Sequence, residues 1–213
     1  MCKINVLRAI RIPCLVWAGL FVAGHVAPPS QAAEPILGGV AKVDITPSQP
    51  VRMYGYASRK TESEGIAGRL HASALALGGD DGEGPAILLA VDCGAVPSDL
   101  AAEVLRRVQA KVPLRSERFM LCNSHNHSGP NLKGMKSLTG DELEHMTRYA
   151  AELTERLEQV VLRALEARAP ARLAVTQGRV GFAANRRVLK DGKWSGFGAV
   201  PDAPVDHRLP LLR

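Results

Sequence analysis

A strand–helix–strand pattern in the middle of the chain constrains the fold more than any other feature. Two short apolar runs, at 86–91 and 118–122, flank a segment whose apolar residues recur every four positions, at Leu100, Val104, Val108 and Val112. This pattern predicts a helical crossover between two parallel strands. Functional residues in such sheets follow the carboxyl ends of the strands, so Asp92 and the residues after Cys122 are expected at one edge. The absence of polar alternation at 86–91 predicts a strand buried on both faces.

The other elements complete an α/β prediction, a mixed sheet with flanking helices. Further strands are predicted at 36–45, 69–77 and 171–180, with a glycine-rich hairpin turn at 78–84. A long amphipathic helix is predicted at 141–168, with Thr139 and Glu142 as a capping box and Ser98 as the N-cap of the shorter helix. The apolar run at 208–213 resembles the opening of a core strand, so the domain is expected to be truncated and incomplete.

The first 32 residues are typical of a secretory signal peptide. Three basic residues precede an apolar segment at 14–24, and Ser30 and Ala32 occupy the small-residue positions of a cleavage site. A retained signal anchor is the alternative, but His25 and two prolines keep the apolar run below the about 20 residues that a spanning helix needs. We therefore expect cleavage after Ala32, export to the periplasm or the medium, and a mature chain of residues 33–213 without a transmembrane segment.

Composition excludes some classes of partner. The formal net charge is +6, but the three basic residues of the leader account for half of it, and no acidic residue precedes Glu34. The remaining charges are mixed along the chain, and only 4% of the residues are aromatic. Neither a basic surface nor a base-stacking surface is indicated, so we expect no nucleic-acid partner.

Two histidines follow the second apolar run, within Asn-Ser-His-Asn-His-Ser-Gly-Pro at 123–130. Because residues two apart on a strand project to the same face, His125 and His127 are expected to point into one space beyond the strand end. Two neutral imidazoles suit a divalent metal, zinc first. Ordinary polar loop histidines are the alternative, since His-x-His alone is a weak signal.

The remaining candidate residues each have a structural alternative. Asp92 is either a site residue or a turn carboxylate. Cys93 and Cys122 either form a disulfide in an oxidising compartment or stay as buried free thiols. Three further histidines are assigned to a strand, a solvated helix face and a loop, in the order His71, His145 and His207.

The order of these segments resembles the N-terminal part of the neutral/alkaline non-lysosomal ceramidase family. The most specific segment is Asn-Ser-His-Asn-His-Ser-Gly-Pro at 123–130, and a second is Met-Tyr-Gly-Tyr-Ala at 53–57. The other matching segments lie at 39–46, 65–74, 90–94, 185–186 and 201–212. Together they cover nearly all of residues 33–213, which the resemblance identifies as a ceramidase-like N-terminal domain.

The resemblance implies a zinc-dependent amidase, a hydrolase of sphingolipid metabolism that cleaves the N-acyl bond of a ceramide-like lipid amide. A membrane surface is a candidate place for the enzyme to meet this substrate. By the same resemblance, His125 is a zinc ligand and His127 helps to hold the substrate or the tetrahedral intermediate. Arg186 would contact the substrate head group or the developing oxyanion, and an ordinary surface arginine is the alternative. Zinc lowers the pKa of bound water towards about 7 and polarises a carbonyl, and nearby donors stabilise an oxyanion.

Several residues of the family have no counterpart in this sequence. In the family, a second histidine, a glutamate and a tyrosine bind zinc from farther along the chain, where a Ser-Gly-Asp segment also carries a proposed catalytic serine. Because His125 and His127 supply at most two ligands, residues 33–213 alone are expected to bind zinc poorly and to lack amidase turnover.

Two other interpretations were weighed. One is a non-catalytic chain, either a truncated fragment or a module that binds lipid or metal without the remaining zinc ligands. The other is a metallohydrolase of the metallo-β-lactamase type. It is set aside because that pattern requires Asp and His directly after the histidine pair, where Ser128 and Gly129 stand.

Overall fold

The computed structural model describes residues 35–56 and 58–213, so the predicted signal peptide lies outside the described residues. The elements in this part of the chain are β1 (Ile36–Asp44), β2 (His71–Leu77), β3 (Ala86–Val91), α1 (Ser98–Gln109), β4 (Phe119–Asn123), α2 (Gly140–Glu166), β5 (Ala169–Ala171), β6 (Val175–Arg179), β7 (Arg187–Lys190), β8 (Lys193–Phe197) and β9 (Arg208–Leu212). Short 3-10 helices lie at Ser116–Arg118 and Leu132–Ser137. None of the helices found in these residues has the length and apolar character needed to cross a bilayer.

A five-stranded mixed sheet in the order β4-β3-β2-β1-β5 forms the centre of the fold. β3 and β4 are parallel neighbours joined through α1, and the other pairs in the sheet are antiparallel. The predicted strand–helix–strand unit and the α/β class with a mixed sheet are thereby confirmed. The glycine-rich turn at 78–84 joins β2 to β3 as a hairpin, also as predicted.

The core lies between one face of this sheet and the two helices. On α1, Val104 and Val108 are fully buried, which confirms the four-residue apolar stripe. On α2, a buried stripe packs against β1 and β2; its members include Met146, Leu153, Leu157, Val160 and Leu165. Gly39 on β1 permits this close approach, because a Cβ atom there would lie 2.1 Å from the carbonyl oxygen of Ala164.

The prediction that β3 is buried on both faces was wrong. Its side chains alternate, with Leu89 fully buried and Leu88 41% exposed. Met120 on the adjacent β4 and Val40 on β1, two strands away, lie in register with Leu88 and are also exposed. The physical reason is that, among the described residues, both helices cover the same face of the sheet.

The predicted helix caps were wrong in detail. Ser98 is the first residue of α1, and the N-cap is Pro97. Thr139 is the N-cap of α2, but its side chain makes no capping hydrogen bond. The Glu142 carboxylate instead accepts hydrogen bonds from Arg52 at 3.1 and 3.2 Å, so it is not available to complete a capping box.

The strand predicted at 171–180 is shorter in the structure: β6 covers residues 175–179, and Ala171 is the last residue of β5. β5 pairs with the edge of the main sheet through β1, whereas β6 pairs with β9 in a separate two-stranded sheet. β7 and β8 form a third sheet. Local alternation cannot predict these pairings, because it does not show which distant strand a segment joins.

Candidate functional site

The carboxyl ends of β3 and β4 lie side by side and carry the predicted site residues. The Ser124 amide donates to the Val91 carbonyl and the His125 amide to the Cys93 carbonyl, each at 3.0 Å. The chain after β4 therefore continues along the end of β3. This confirms the expectation that Asp92 and the histidines emerge at one edge of the sheet.

His125 is held in a defined orientation and tautomer. Its φ angle is 52°, in the left-handed region that non-glycine residues seldom adopt. Its Nδ1 lies 2.7 Å from the Gly94 carbonyl oxygen, which can only accept a hydrogen bond. In the neutral ring, Nδ1 therefore carries the proton and Nε2 keeps its lone pair, and the ring is exposed. A backbone carbonyl on the second ring nitrogen is a common support for a metal-binding histidine.

The two imidazole rings come together, but not for the predicted reason. Their centroids are 5.6 Å apart with an angle of 66° between the planes. β4 ends at Asn123, and the left-handed backbone at His125 turns the chain away from a strand geometry. The pairing of His125 and His127 thus comes from a turn, and not from strand alternation.

A separate segment supplies the third ring of the cluster. Residues 52–54 run antiparallel to 129–131, since the Tyr54 amide donates to the Gly129 carbonyl and the Asn131 amide to the Arg52 carbonyl, both at 2.8 Å. The Tyr54 ring centroid lies 5.6 Å from each histidine ring, edge to face. This geometry is favourable for aromatic pairs and fixes the rings relative to one another. We call Tyr54, His125 and His127 the ring cluster.

Two glycines make room for the ring cluster because they have no side chains. A Cβ atom on Gly94 would lie 2.1 Å from Cδ1 of Tyr54, and one on Gly55 would lie 2.4 Å from Cγ of His127. Gly55 also has a φ of 75°, which side-chain-bearing residues rarely adopt. Both positions therefore require glycine if the rings are to keep these contacts.

Sequence reasoning did not single out the tyrosine segment as part of the site. Tyr56 places its ring 5.1 Å from that of His127, and Arg59 donates hydrogen bonds to the carbonyls of Tyr54 and His127. One signal was present in the sequence. The chain has only three tyrosines, and two of them flank a single glycine at 54–56.

Asp92 and the two cysteines lie outside the ring cluster. The Asp92 carboxylate accepts a hydrogen bond from the His71 amide at 3.1 Å, which supports the turn-carboxylate interpretation. Cys93 and Cys122 are both free; Cys93 is buried and Cys122 is exposed, so the buried-thiol interpretation holds only for Cys93. Burial raises the pKa of the Cys93 thiol, which disfavours the nucleophilic thiolate.

Arg186, His145 and His207 have their contacts outside the ring cluster. Arg186 is exposed just before β7, and within the described part of the chain its side chain makes no hydrogen bond or ion pair. Its role stays a prediction. His207 bonds through Nδ1 to the Val180 carbonyl. The solvated assignment of His145 was wrong, since its Nδ1 lies 3.0 Å from the Glu62 carboxylate in a half-buried pair.

The cluster provides fewer ligands than a complete metal centre needs. Across residues 35–56 and 58–213, no group of three or more His, Cys, Asp or Glu side chains is placed to hold a metal ion. A cleft of about 500 Å³ is lined in part by Ser128–Pro130, the turn that follows His127, but neither histidine of the cluster lines it. The reactive groups at this edge are the Nε2 atom of the exposed residue His125 and the adjacent ring of His127.

Comparison with known proteins identifies a matching family and two similar solved structures. The profile of the family described as neutral/alkaline non-lysosomal ceramidase, N-terminal, matches residues 37–190. The fold is similar to the crystal structure of neutral ceramidase from Pseudomonas aeruginosa, with a TM-score of 0.61 and 26% sequence identity over 72% of this chain and 25% of that one. It is also similar to a structure described as ceramidase complexed with C2, with a TM-score of 0.59 and the same identity and coverage. The chain thus spans about a quarter of the length of these solved relatives.

Proposed function

Because the chain belongs to the neutral/alkaline non-lysosomal ceramidase family, we propose that it contributes to hydrolysis of the N-acyl amide bond of a ceramide-like lipid. The products would be a sphingoid amine and a fatty acid. The observation that carries the proposal is the ring cluster at the sheet edge, with the Nδ1–H tautomer of His125 held by Gly94. The likeness to the solved ceramidases over 72% of this chain supports the same assignment.

We propose zinc as the cofactor, with His125 as one of its ligands. The Nε2 lone pair of His125 fits one position of a zinc site, because neutral imidazole is a preferred zinc ligand and its second nitrogen is already bonded to a carbonyl. A catalytic zinc needs three protein ligands, and His125 with His127 supplies at most two. When bound, zinc would lower the pKa of its water and polarise the amide carbonyl.

The other residues of the site would bind and orient the substrate. His127 is half-buried beside His125, where its ring could donate a hydrogen bond to the amide carbonyl or to the tetrahedral oxygen. Tyr54 would keep the two imidazoles at a fixed separation. Arg186 is proposed to contact the lipid head group or the developing oxyanion.

The test is the release of fatty acid from N-acylsphingosine in detergent micelles by the protein expressed from its complete gene. We expect His125→Gln and His127→Gln each to lower turnover by about a hundredfold or more. His207→Gln is the matched control, because its Nδ1 also bonds to a backbone carbonyl, and its turnover should stay unchanged. Removal of metal by a chelator should abolish turnover, and added zinc should restore it.

Two outcomes separate the competing interpretations. Turnover that survives both His125→Gln and chelation would refute the zinc-hydrolase proposal. A protein that binds the lipid without cleaving it, with or without zinc, would instead support the non-catalytic lipid-binding module. We further propose that the protein is exported, which N-terminal sequencing would test. We also propose that it meets its substrate at a membrane surface, which activity on ceramide-containing vesicles would test.

A further inference from the structure

Arg59 connects two segments of the site that are far apart in the sequence. Its Nη1 donates one hydrogen bond to the Tyr54 carbonyl at 3.1 Å and another to the His127 carbonyl, 68 residues away. The Arg59 amide also donates to the Tyr56 carbonyl at 2.9 Å. One guanidinium nitrogen therefore joins the backbone of the tyrosine segment to that of the histidine segment.

The same guanidinium also contacts the ring that lies against His127. Its Cζ atom lies 4.7 Å from the Tyr56 ring centroid, within the range of a cation–π interaction. The Tyr56 ring in turn meets the His127 ring at 5.1 Å and 89°. Tyr56 is 61% exposed, so burial in the core does not fix its ring. Arg59 thus supports both the backbone and the ring of His127.

The charge of Arg59 is not used in an ion pair. Among the described residues, no carboxylate lies within ion-pair distance of its half-buried guanidinium, in contrast to Arg52, which pairs with Glu142 at 3.1 Å. Its donors go to backbone carbonyls, and its face goes to an aromatic ring. A planar fork with fixed donors suits this double task better than a flexible ammonium group.

We propose that Arg59 is a positioning residue of the site, which fixes the imidazole of His127 through its carbonyl and through Tyr56. The proposal rests on the proposed function as far as catalysis is concerned, whereas the fixing of the ring is a property of the protein alone. Arg59 acts through His127 and needs no contact with the substrate. Without it, the His127 ring would sample several orientations, and a shift of about 1 Å in a catalytic group can cost about a hundredfold in rate.

Arg156 provides a matched control for Arg59→Ala. Its side chain is also half-buried, and its Nη1 also donates to two backbone carbonyls, those of Asp44 and Thr46, at 3.3 and 3.4 Å. It lies on α2 and makes no contact with the ring cluster among the described residues. Arg156 also forms an ion pair with Glu152 at 3.2 Å. Arg156→Ala therefore removes two bonds to backbone carbonyls and this ion pair, but it releases no residue of the ring cluster.

The experiment combines NMR of histidine labelled with 15N and 13C in the ring with steady-state kinetics on the protein from its complete gene. The His127 ring signals are assigned by His127→Gln. In Arg59→Ala we expect these signals to shift or broaden, while those of His207 stay in place, and kcat to fall about tenfold to a hundredfold with KM little changed. Arg156→Ala should change neither the His127 signals nor kcat.

Arg59→Lys provides a second measurement if the alanine variant does not fold. Lysine can keep a hydrogen bond to the His127 carbonyl but loses the planar contact with Tyr56, so the His127 signals should shift by an intermediate amount. The proposal is overturned if Arg59→Ala, or Arg59→Lys in its place, moves the His127 signals no more than Arg156→Ala does. A wild-type protein without amidase turnover would overturn the proposed function, and the NMR comparison would still decide whether Arg59 fixes the ring.

Discussion

Replacing Gly94 by alanine is expected to displace the Tyr54 ring from its contact with the two histidines. The added Cβ would lie 2.1 Å from Cδ1 of Tyr54, whereas carbon atoms in contact lie about 3.5 to 4.0 Å apart. The ring must therefore withdraw by about 1.5 Å or more. Gly94 has no left-handed φ, so backbone strain does not add to the effect. Overpacking of this kind lowers the free energy of unfolding by about 1 to 3 kcal/mol.

Urea unfolding and histidine-ring NMR of the protein from its complete gene measure the two consequences. Gly68→Ala is the control, because a Cβ there meets no atom within 4 Å, and its free energy of unfolding should change by about 0.5 kcal/mol or less. In a Tyr54→Gly background, Gly94→Ala should lose most of its effect, since the ring of Tyr54 and its Cβ atom, which would lie 2.8 Å from the added Cβ, are both gone. Equal unfolding free energies for Gly94→Ala and Gly68→Ala, with unmoved histidine signals, would refute the reasoning.

Three other predictions follow from the fold and the sequence. Leu157→Ala should lower the free energy of unfolding by about 2 to 5 kcal/mol in urea denaturation, because Leu157 is fully buried, whereas Leu143→Ala on the exposed side of the same helix should cost much less. Hydrogen bonds from two arginines on α1 lower the pKa of Glu103 to about 2. The ionised Glu103 therefore stabilises the fold fully above the unfolded pKa of about 4.5, and this stabilisation is lost as the pH falls towards 2. Glu103→Gln should therefore be less stable than the wild type near pH 6 and equal to it near pH 2 at low salt, and a constant difference in melting temperature would contradict this. N-terminal sequencing of the exported protein should begin at Ala33, and a chain that keeps residues 1–32 would contradict the signal-peptide prediction.

Most of the main sheet could be predicted because its signals are local. The apolar run at Ala86–Val91, the four-residue stripe of α1 and the next apolar run are each short enough to be recognised within a window of about a dozen residues. The handedness and short length of crossover connections then require parallel neighbours. The order of β3 and β4 followed from these two facts.

The errors concern features that depend on distant partners. Whether the second face of β3 is covered depends on where both helices pack, and the failed capping box at Thr139 depends on Arg52, which lies about ninety residues earlier in the chain. The pairing of Ala171 with β1 and of residues 175–179 with β9 depends on strands elsewhere in the sequence. None of these partners can be identified from the local sequence pattern.

The edge of the site and its two histidines could be predicted from the sequence, because a strand end, two imidazoles and a Gly-Pro turn are encoded within a few adjacent residues. The residues that surround them depend on the tertiary structure. Tyr54 and Arg59 reach His127 through an antiparallel contact and a hydrogen bond across about seventy residues. The tautomer of His125 likewise depends on the Gly94 carbonyl, 31 residues earlier. Such contacts form when separate strand ends meet at one edge of the sheet, and no periodicity within either segment records which partner it will meet.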